Sequence, residues 1–209
     1  MKKTIFKLLI LINCFLLASC AATYKPINPP SINYGAHDLQ DGIELSYQYD
    51  VLRGKGDNKY ANKEYKKNIK VVAVRITNFT DTTINIGRDL VFYSGGNQIF
   101  LLEPTAIKNS IKQHTPAYLP FLLLTFLNLT VTHNTPTSTS TEVYPIGLFI
   151  GPTVTAGNMA VANSANNKLL NELIDYNIFN KELKKGETTY GIIGFKEIGY
   201  NPLSVRLKK

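Results

Sequence analysis

Between Gln113 and Lys168 the chain carries a single formal charge, Glu142. Soluble domains average about one charged residue in four, so a stretch this long without charge must be covered by something. Within it, Tyr118, Leu119, Phe121, Leu122, Leu123, Leu124, Phe126, Leu127 and Leu129 leave no polar side at helical spacing. A helix that is apolar all round is buried all round. The pattern predicts a first helical arm over 116–131, with Pro116 and Pro120 in its opening turns. A Thr- and Ser-rich tip follows over 132–142. A second apolar arm of small residues then begins at Val143, with Gly147 and Gly151 four apart and Ala156 and Ala160 repeating the spacing. Small residues so spaced let helices approach closely, as in membrane helix pairs. Pro145 and Pro152 interrupt this arm, which sets its helix start near Thr153; Leu169, Leu170, Leu173 and Ile174 then form an apolar face. A helix over 116–131 is about 24 Å long, short of the ~30 Å hydrocarbon core of a bilayer. A re-entrant or interfacial hairpin, packing on the rest of the fold and packing on a partner protein all remain open. Leu122, Leu123, Phe126, Gly147 and Gly151 are the candidate contact residues.

The flanking sequence reads as strands. Ile43, Leu45, Tyr47, Tyr49 and Val51 alternate with polar residues, the period of a half-buried strand. Residues 69–79 are rich in β-branched side chains, with Val72, Val74 and Ile76 on the inner face, and Asn78 to Asp81 supply a turn. Short strands are expected over 83–86, 90–93 and 99–102, the last two joined by the hairpin signal Ser94-Gly95-Gly96-Asn97. After a turn over 184–187, residues 188–195 form a strand, with Tyr190 and Ile192 on one face and Ile193 and Phe195 on the other. Gly191 and Gly194 mark a bulge or a close backbone approach. Leu203, Val205 and Leu207 alternate in a last strand. About seven or eight short strands with turns between them argue for an antiparallel β-sandwich.

Net charge is +8, of which Lys2, Lys3 and Lys7 contribute three. Residues 53–70 hold Arg53, Lys55, Lys59, Lys63, Lys66, Lys67 and Lys70 against Asp57 and Glu64, so the basicity is local and reads as a solvated loop. Anionic lipid or an acidic partner would complement it. No aromatic-interleaved basic motif points to nucleic acid. His37, His114 and His133 lack zinc-helix spacing, and Gly54-Lys55-Gly56 lacks the spacing of a phosphate loop. Glu44 and Asp50 lie on the polar side of the first strand, away from any expected cleft. The expectation is a protein that is not an enzyme and uses no cofactor or metal.

The amino terminus supplies a location. Met1-Lys2-Lys3 and Lys7 precede a run of Leu, Ile and Phe up to Leu17, the build of a bacterial export signal. The run closes on Leu17-Ala18-Ser19-Cys20, which resembles the lipobox of bacterial lipoproteins. The resemblance implies cleavage before Cys20, diacylation of its thiol and acylation of the new amine. Cys14 would leave with the signal, and no cysteine pair would remain for a disulfide. The division is then a signal peptide over 1–19, an acylated Cys and Pro-rich tether over 20–35, and a β domain over 36–209 with a helical insertion at about 105–178. Val72 to Asp81, and Lys184 to Thr188 followed by Gly191 to Phe195, resemble strand-and-turn signatures of immunoglobulin-like domains in bacterial envelope lipoproteins. The Lys-, Asn- and Ile-rich style resembles envelope lipoproteins of the Bacteroidota. The expected fold is mainly β: an immunoglobulin-like antiparallel β-sandwich with an inserted apolar helical hairpin. The expected function is that of a lipid-anchored, non-enzymatic cell-envelope binding or scaffold protein at the outer membrane, facing the periplasm. Its partners would be the membrane, through the N-terminal lipid, and an envelope protein or anionic lipid. The alternative is a membrane-inserting or oligomerising protein acting through the hairpin.

Overall fold

A computed structural model describes residues 20–208; the signal peptide expected over 1–19 lies outside the described residues. Among the described residues helix takes up 37% and strand 31%, so the fold is mixed α/β with several antiparallel sheets, where the sequence pointed to mainly β. In chain order, β1 (Ala36–Gln40) and β2 (Ile43–Gln48) precede α1 (Val51–Gly54) and α2 (Asn58–Lys66). Then come β3 (Ile69–Asn78), β4 (Ile84–Asn85), α3 (Ile86–Asp89), β5 (Leu90–Ser94), β6 (Asn97–Gln98) and α4 (Pro104–Ile111). A 3-10 segment (Thr115–Phe126), β7 (Leu129–Asn134), β8 (Thr139–Tyr144) and the long α5 (Gly147–Asp175) follow. The chain ends with β9 (Glu182–Leu183), β10 (Thr188–Lys196) and β11 (Leu203–Leu207). Two compact units result. One is formed by 20–23 with His114–Ser164, the other by Tyr24–Gln113 with 165–208.

The larger unit is built on an antiparallel sheet of order β1-β2-β3-β10 and a second of order β11-β5-β6. Val72, Val74 and Ile76 of β3 join Ile43 and Leu45 of β2, Phe92 of β5 and Val205 of β11 in one buried cluster between the sheets. The opposite face of β3, carrying Ile69, Val71 and Ala73, is buried as well. It packs with Tyr60 of α2, Ile107 and Ile111 of α4, and Leu169 and Leu173 from the end of α5. The backbone of β3 pairs with β10 over 69–77 and with β2 over 73–78, and beyond the end of β2 the Val71 N–H donates to the Glu64 carboxylate, which lets the strand be covered on both faces. Gly191 and Gly194 of β10 admit Ile178 and Ile107; a Cβ at either glycine would collide with that isoleucine. Gly95 and Gly96, at φ of 56° and 83°, make the two-residue turn between β5 and β6 that the sequence predicted.

Several expectations are corrected. The basic segment is no loop, because Tyr60, Ala61 and Glu64 share a buried stripe of α2 at helical spacing. The strand expected over 99–102 does not form: the short β6 lies just before it, the Ile99 N–H donates once more to Phe92, and the Leu102 N–H donates to Gly194 instead. Val51 opens α1 and does not close β2. The Pro-rich segment is no free tether from Tyr24 onward. Tyr24 and Ile27 are core residues, and the Glu172 carboxylate accepts from the Tyr24 hydroxyl at 2.5 Å and from the Ile27 and Asn28 N–H groups at 3.0 and 2.7 Å. The helical hairpin is replaced by the 3-10 segment, the β7–β8 hairpin and one helix. Pro116 and Pro120 each withhold an N–H from any α-helical ladder, and Thr130, Val131 and Thr132 favour extended backbone. The second arm becomes helical already at Gly147, with Pro152 inside the helix.

Burial lifts two carboxyl groups of the larger unit. Asp57 rises from 3.8 to about 6 even though it accepts the Lys25 N–H, and Glu64 rises from 4.5 to about 7 even though it accepts the Val71 N–H. Both acids hold a proton more tightly folded than unfolded, so their contribution to stability is present in full below pH ~4 and is lost as pH rises through 6–7. Asp89 runs the other way: hydrogen bonding from Arg88 draws it down to about 2, so its contribution is present above pH ~4 and is lost only as pH falls toward 2, outside the window of the other two acids. The melting temperature should fall between pH 5 and pH 7.5. Glu64→Gln, which keeps an acceptor for Val71, should flatten that slope in thermal melts followed by circular dichroism; an unchanged slope would place the dependence elsewhere.

Candidate functional site

The smaller unit has a thin core and a greasy exterior. Tyr118, Phe121 and Ala162 are its buried apolar residues, with Ala21, Leu124, Val154 and Met159 packed around them. Leu123 is 68% exposed, Phe126 80% and Phe149 78%, and Leu119, Leu122 and Leu148 are exposed with them. The two stretches meet. The Gly147 N–H donates to the Leu127 carbonyl at 2.8 Å. A Cβ on Gly147 would strike the backbone of Leu124, Thr125 and Leu127, and one on Gly151 would strike Thr125. The exposed side chains of 122–129 and 146–150 therefore form one apolar surface.

Of the contact residues expected from sequence, Leu122, Leu123 and Phe126 lie on that surface. Gly147 and Gly151 are buried and hold the start of α5 against the 3-10 segment within the same chain. Ala156 and Ala160 are exposed and do not continue their contact. The expectation passed over Ile146, Leu148, Phe149 and Ile150, because Pro145 and Pro152 read as the ends of any helix there. The signal that marks them is the apolar run itself, between two prolines and with no charge nearby. The hairpin β7–β8 is exposed on nearly every residue, an arrangement that is marginal in water without further cover. Glu142 accepts from the Tyr144 hydroxyl.

Cys20 is exposed. Its neighbour Ala21 is docked: the Ala21 N–H donates to the Asn158 side-chain oxygen at 2.6 Å, and the residue packs on the Tyr118 cluster. The candidate acylation residue thus emerges from the unit that carries the apolar surface.

Other candidate chemistry is sparse. Among the described residues no group of three His, Cys, Asp or Glu side chains is placed to hold a metal ion. An open cleft of about 270 Å³ in the larger unit is lined by Ile86, Phe92, Ile99, Phe100 and Phe179 with Arg88 and Lys208, and no carboxylate or nucleophile–base pair lines it. Burial, and next the bond to Glu172, push the Tyr24 phenol far up, which keeps it a donor to the carboxylate. Against family models, curated proteins and solved structures, the chain gives no match.

Neither buried cluster of the larger unit contains a residue from 114–164. The points where the chain leaves and re-enters that unit are also side by side. The Gln113 N–H donates to the Asn166 side-chain oxygen at 2.8 Å, and the Asn166 amide donates back to the Gln113 carbonyl at 2.9 Å. Replacing 114–164 by a short Gly/Ser linker should leave a cooperatively melting domain, since loop closure changes slowly with length. The product should stay in solution at higher concentration, having shed its exposed Leu and Phe side chains. Loss of the cooperative transition would mean that the larger core needs those residues.

Proposed function

We propose that the chain is a lipid-anchored, non-enzymatic protein of the bacterial envelope that binds or scaffolds an envelope component. The observation that carries this reading is Leu17-Ala18-Ser19-Cys20 after a basic and apolar start, with Cys20 exposed. Two or three acyl chains hold a protein at a bilayer far more firmly than one. The reading sets the protein at the outer membrane, facing the periplasm. It also takes the facing sheets of the larger unit as an immunoglobulin-like sandwich decorated with helices. Support for that is one apolar cluster shared by two antiparallel sheets, and the turn after β3 in which Asn78 bonds Thr80, Thr82 and Leu183.

The alternative, an inserting or oligomerising protein, has one observation in its favour, the exposed apolar surface of the smaller unit. Oligomerisation through Gly147 and Gly151 would need glycine faces that the chain's own 124–127 segment already occupies. Among the described residues no helix is long and apolar enough to cross a membrane.

Cells expressing the full chain should incorporate labelled palmitate into it, and Cys20→Ser should abolish the label. Label retained in Cys20→Ser would overturn the anchor.

A further inference from the structure

We propose that the apolar surface of the smaller unit, formed by Leu122, Leu123, Phe126, Leu148 and Phe149, is a docking face for the bilayer interface, lying among headgroups and upper acyl chains beside Cys20. This deepens the reading of a lipid-anchored protein and rests on it for the source of the membrane. Three observations choose lipid as the occupant. The first is charge. Among the described residues of the unit a protein partner of either sign would find only Glu142 to complement, and that carboxylate is engaged by Tyr144. Lipid chains require no complement and penalise charge. The second is position. Ala21 is fixed to Asn158 and to the Tyr118 cluster, and Cys20 lies one residue away, about 3.8 Å along the chain. Acyl chains on Cys20 would start from this unit, with no slack tether between them and it. The third is the state of the small-residue stripe. A second copy packing closely would use Gly147 and Gly151, which are already filled from within.

The depth is set by the helices. Among the described residues none is long and apolar enough to cross, so the face lies in the interface plane. Elements of this kind enter about 5–10 Å into the boundary between headgroups and acyl chains. The exposed β7–β8 hairpin, rich in Thr and Ser, suits the polar margin of such a site.

The chain has no tryptophan, so one substitution makes a unique probe. The full acylated chain carrying Phe149→Trp, and separately Phe126→Trp, would be reconstituted into phosphatidylethanolamine/phosphatidylglycerol vesicles with and without brominated acyl chains. Phe79→Trp, at an exposed site of the other unit, is the reference. Phe149→Trp and Phe126→Trp should emit to the blue of Phe79→Trp and lose roughly half or more of their emission to brominated lipid, as shallow insertion requires. Three results would overturn the proposal. Emission at long wavelength that acrylamide quenches means the face stays in water. Blue emission indifferent to brominated lipid means that a second copy or another protein covers it. Equal bromolipid quenching of all three probes means unspecific insertion. The anchor is scored separately by palmitate. Label without bromolipid quenching sinks the docking face and leaves the anchor, whereas quenching without label sinks the anchor and leaves the face.

Discussion

Burial of β3 on both faces is the constraint from which the larger unit follows. A strand can be covered twice only if its backbone groups are paired on both edges; β10 does that over 69–77 and β2 over 73–78, and the Glu64 carboxylate takes the Val71 N–H beyond the end of β2. Once paired, the strand presents two apolar rows. Val72, Val74 and Ile76 call for a second sheet; Ile69, Val71 and Ala73 call for helices. The β11-β5-β6 sheet answers the first row, and α2, α4 and the end of α5 answer the second. The glycines of the neighbouring β10 are part of the same solution, since Ile107 and Ile178 reach the sheet where Gly194 and Gly191 leave room.

The helical layer is held by polar groups as much as by apolar ones. Asn166 bonds both ends of the Gln113 peptide and also accepts from the Tyr60 hydroxyl at 3.1 Å, while Gln113 donates to that same hydroxyl. Each polar atom of this buried set has a partner, which is the condition under which such groups specify a packing and do not weaken it. Glu172 acts alike on the chain entering the unit, collecting three donors from Tyr24, Ile27 and Asn28. Charge-assisted bonds to one carboxylate order a Pro-rich segment that has no ladder of its own.

The smaller unit obeys a different balance. Its few buried side chains cannot cover its Leu and Phe residues, and it lacks the charged exterior that keeps a monomer in solution. A lipid interface inverts both liabilities, because apolar exposure becomes favourable contact there and missing charge removes a cost. On the proposed docking at lipid, stability of this unit and attachment of the chain would be aspects of one interaction.

Period-two patterns and turn chemistry were readable from the residues alone. The inner face of β3, the Gly95-Gly96 turn, the two faces of β10 and the alternation of β11 all depend on neighbours one or two residues away, and they stand as read. The Asp41-Gly42 turn that makes β1 the partner of β2 is an equally local signal, at φ of 52° and 76°. The apolar surface was legible in outline, through Leu122, Leu123 and Phe126 and the missing charges. What sequence could not decide was which apolar stretches would be covered. Prolines at 116 and 120 and β-branched residues at 130–132 turned an apparent helix into a 3-10 segment and a hairpin, a competition that hydrophobic pattern does not record. Lysine-rich α2 is helical because Tyr60, Ala61 and Glu64 find a sheet to cover, and Tyr24 is buried because Glu172, 148 residues away, accepts the hydrogen bond of its hydroxyl. Local rules set turns and faces. Long-range partners, brought together only by the folded chain, decided which faces met protein and which were left open.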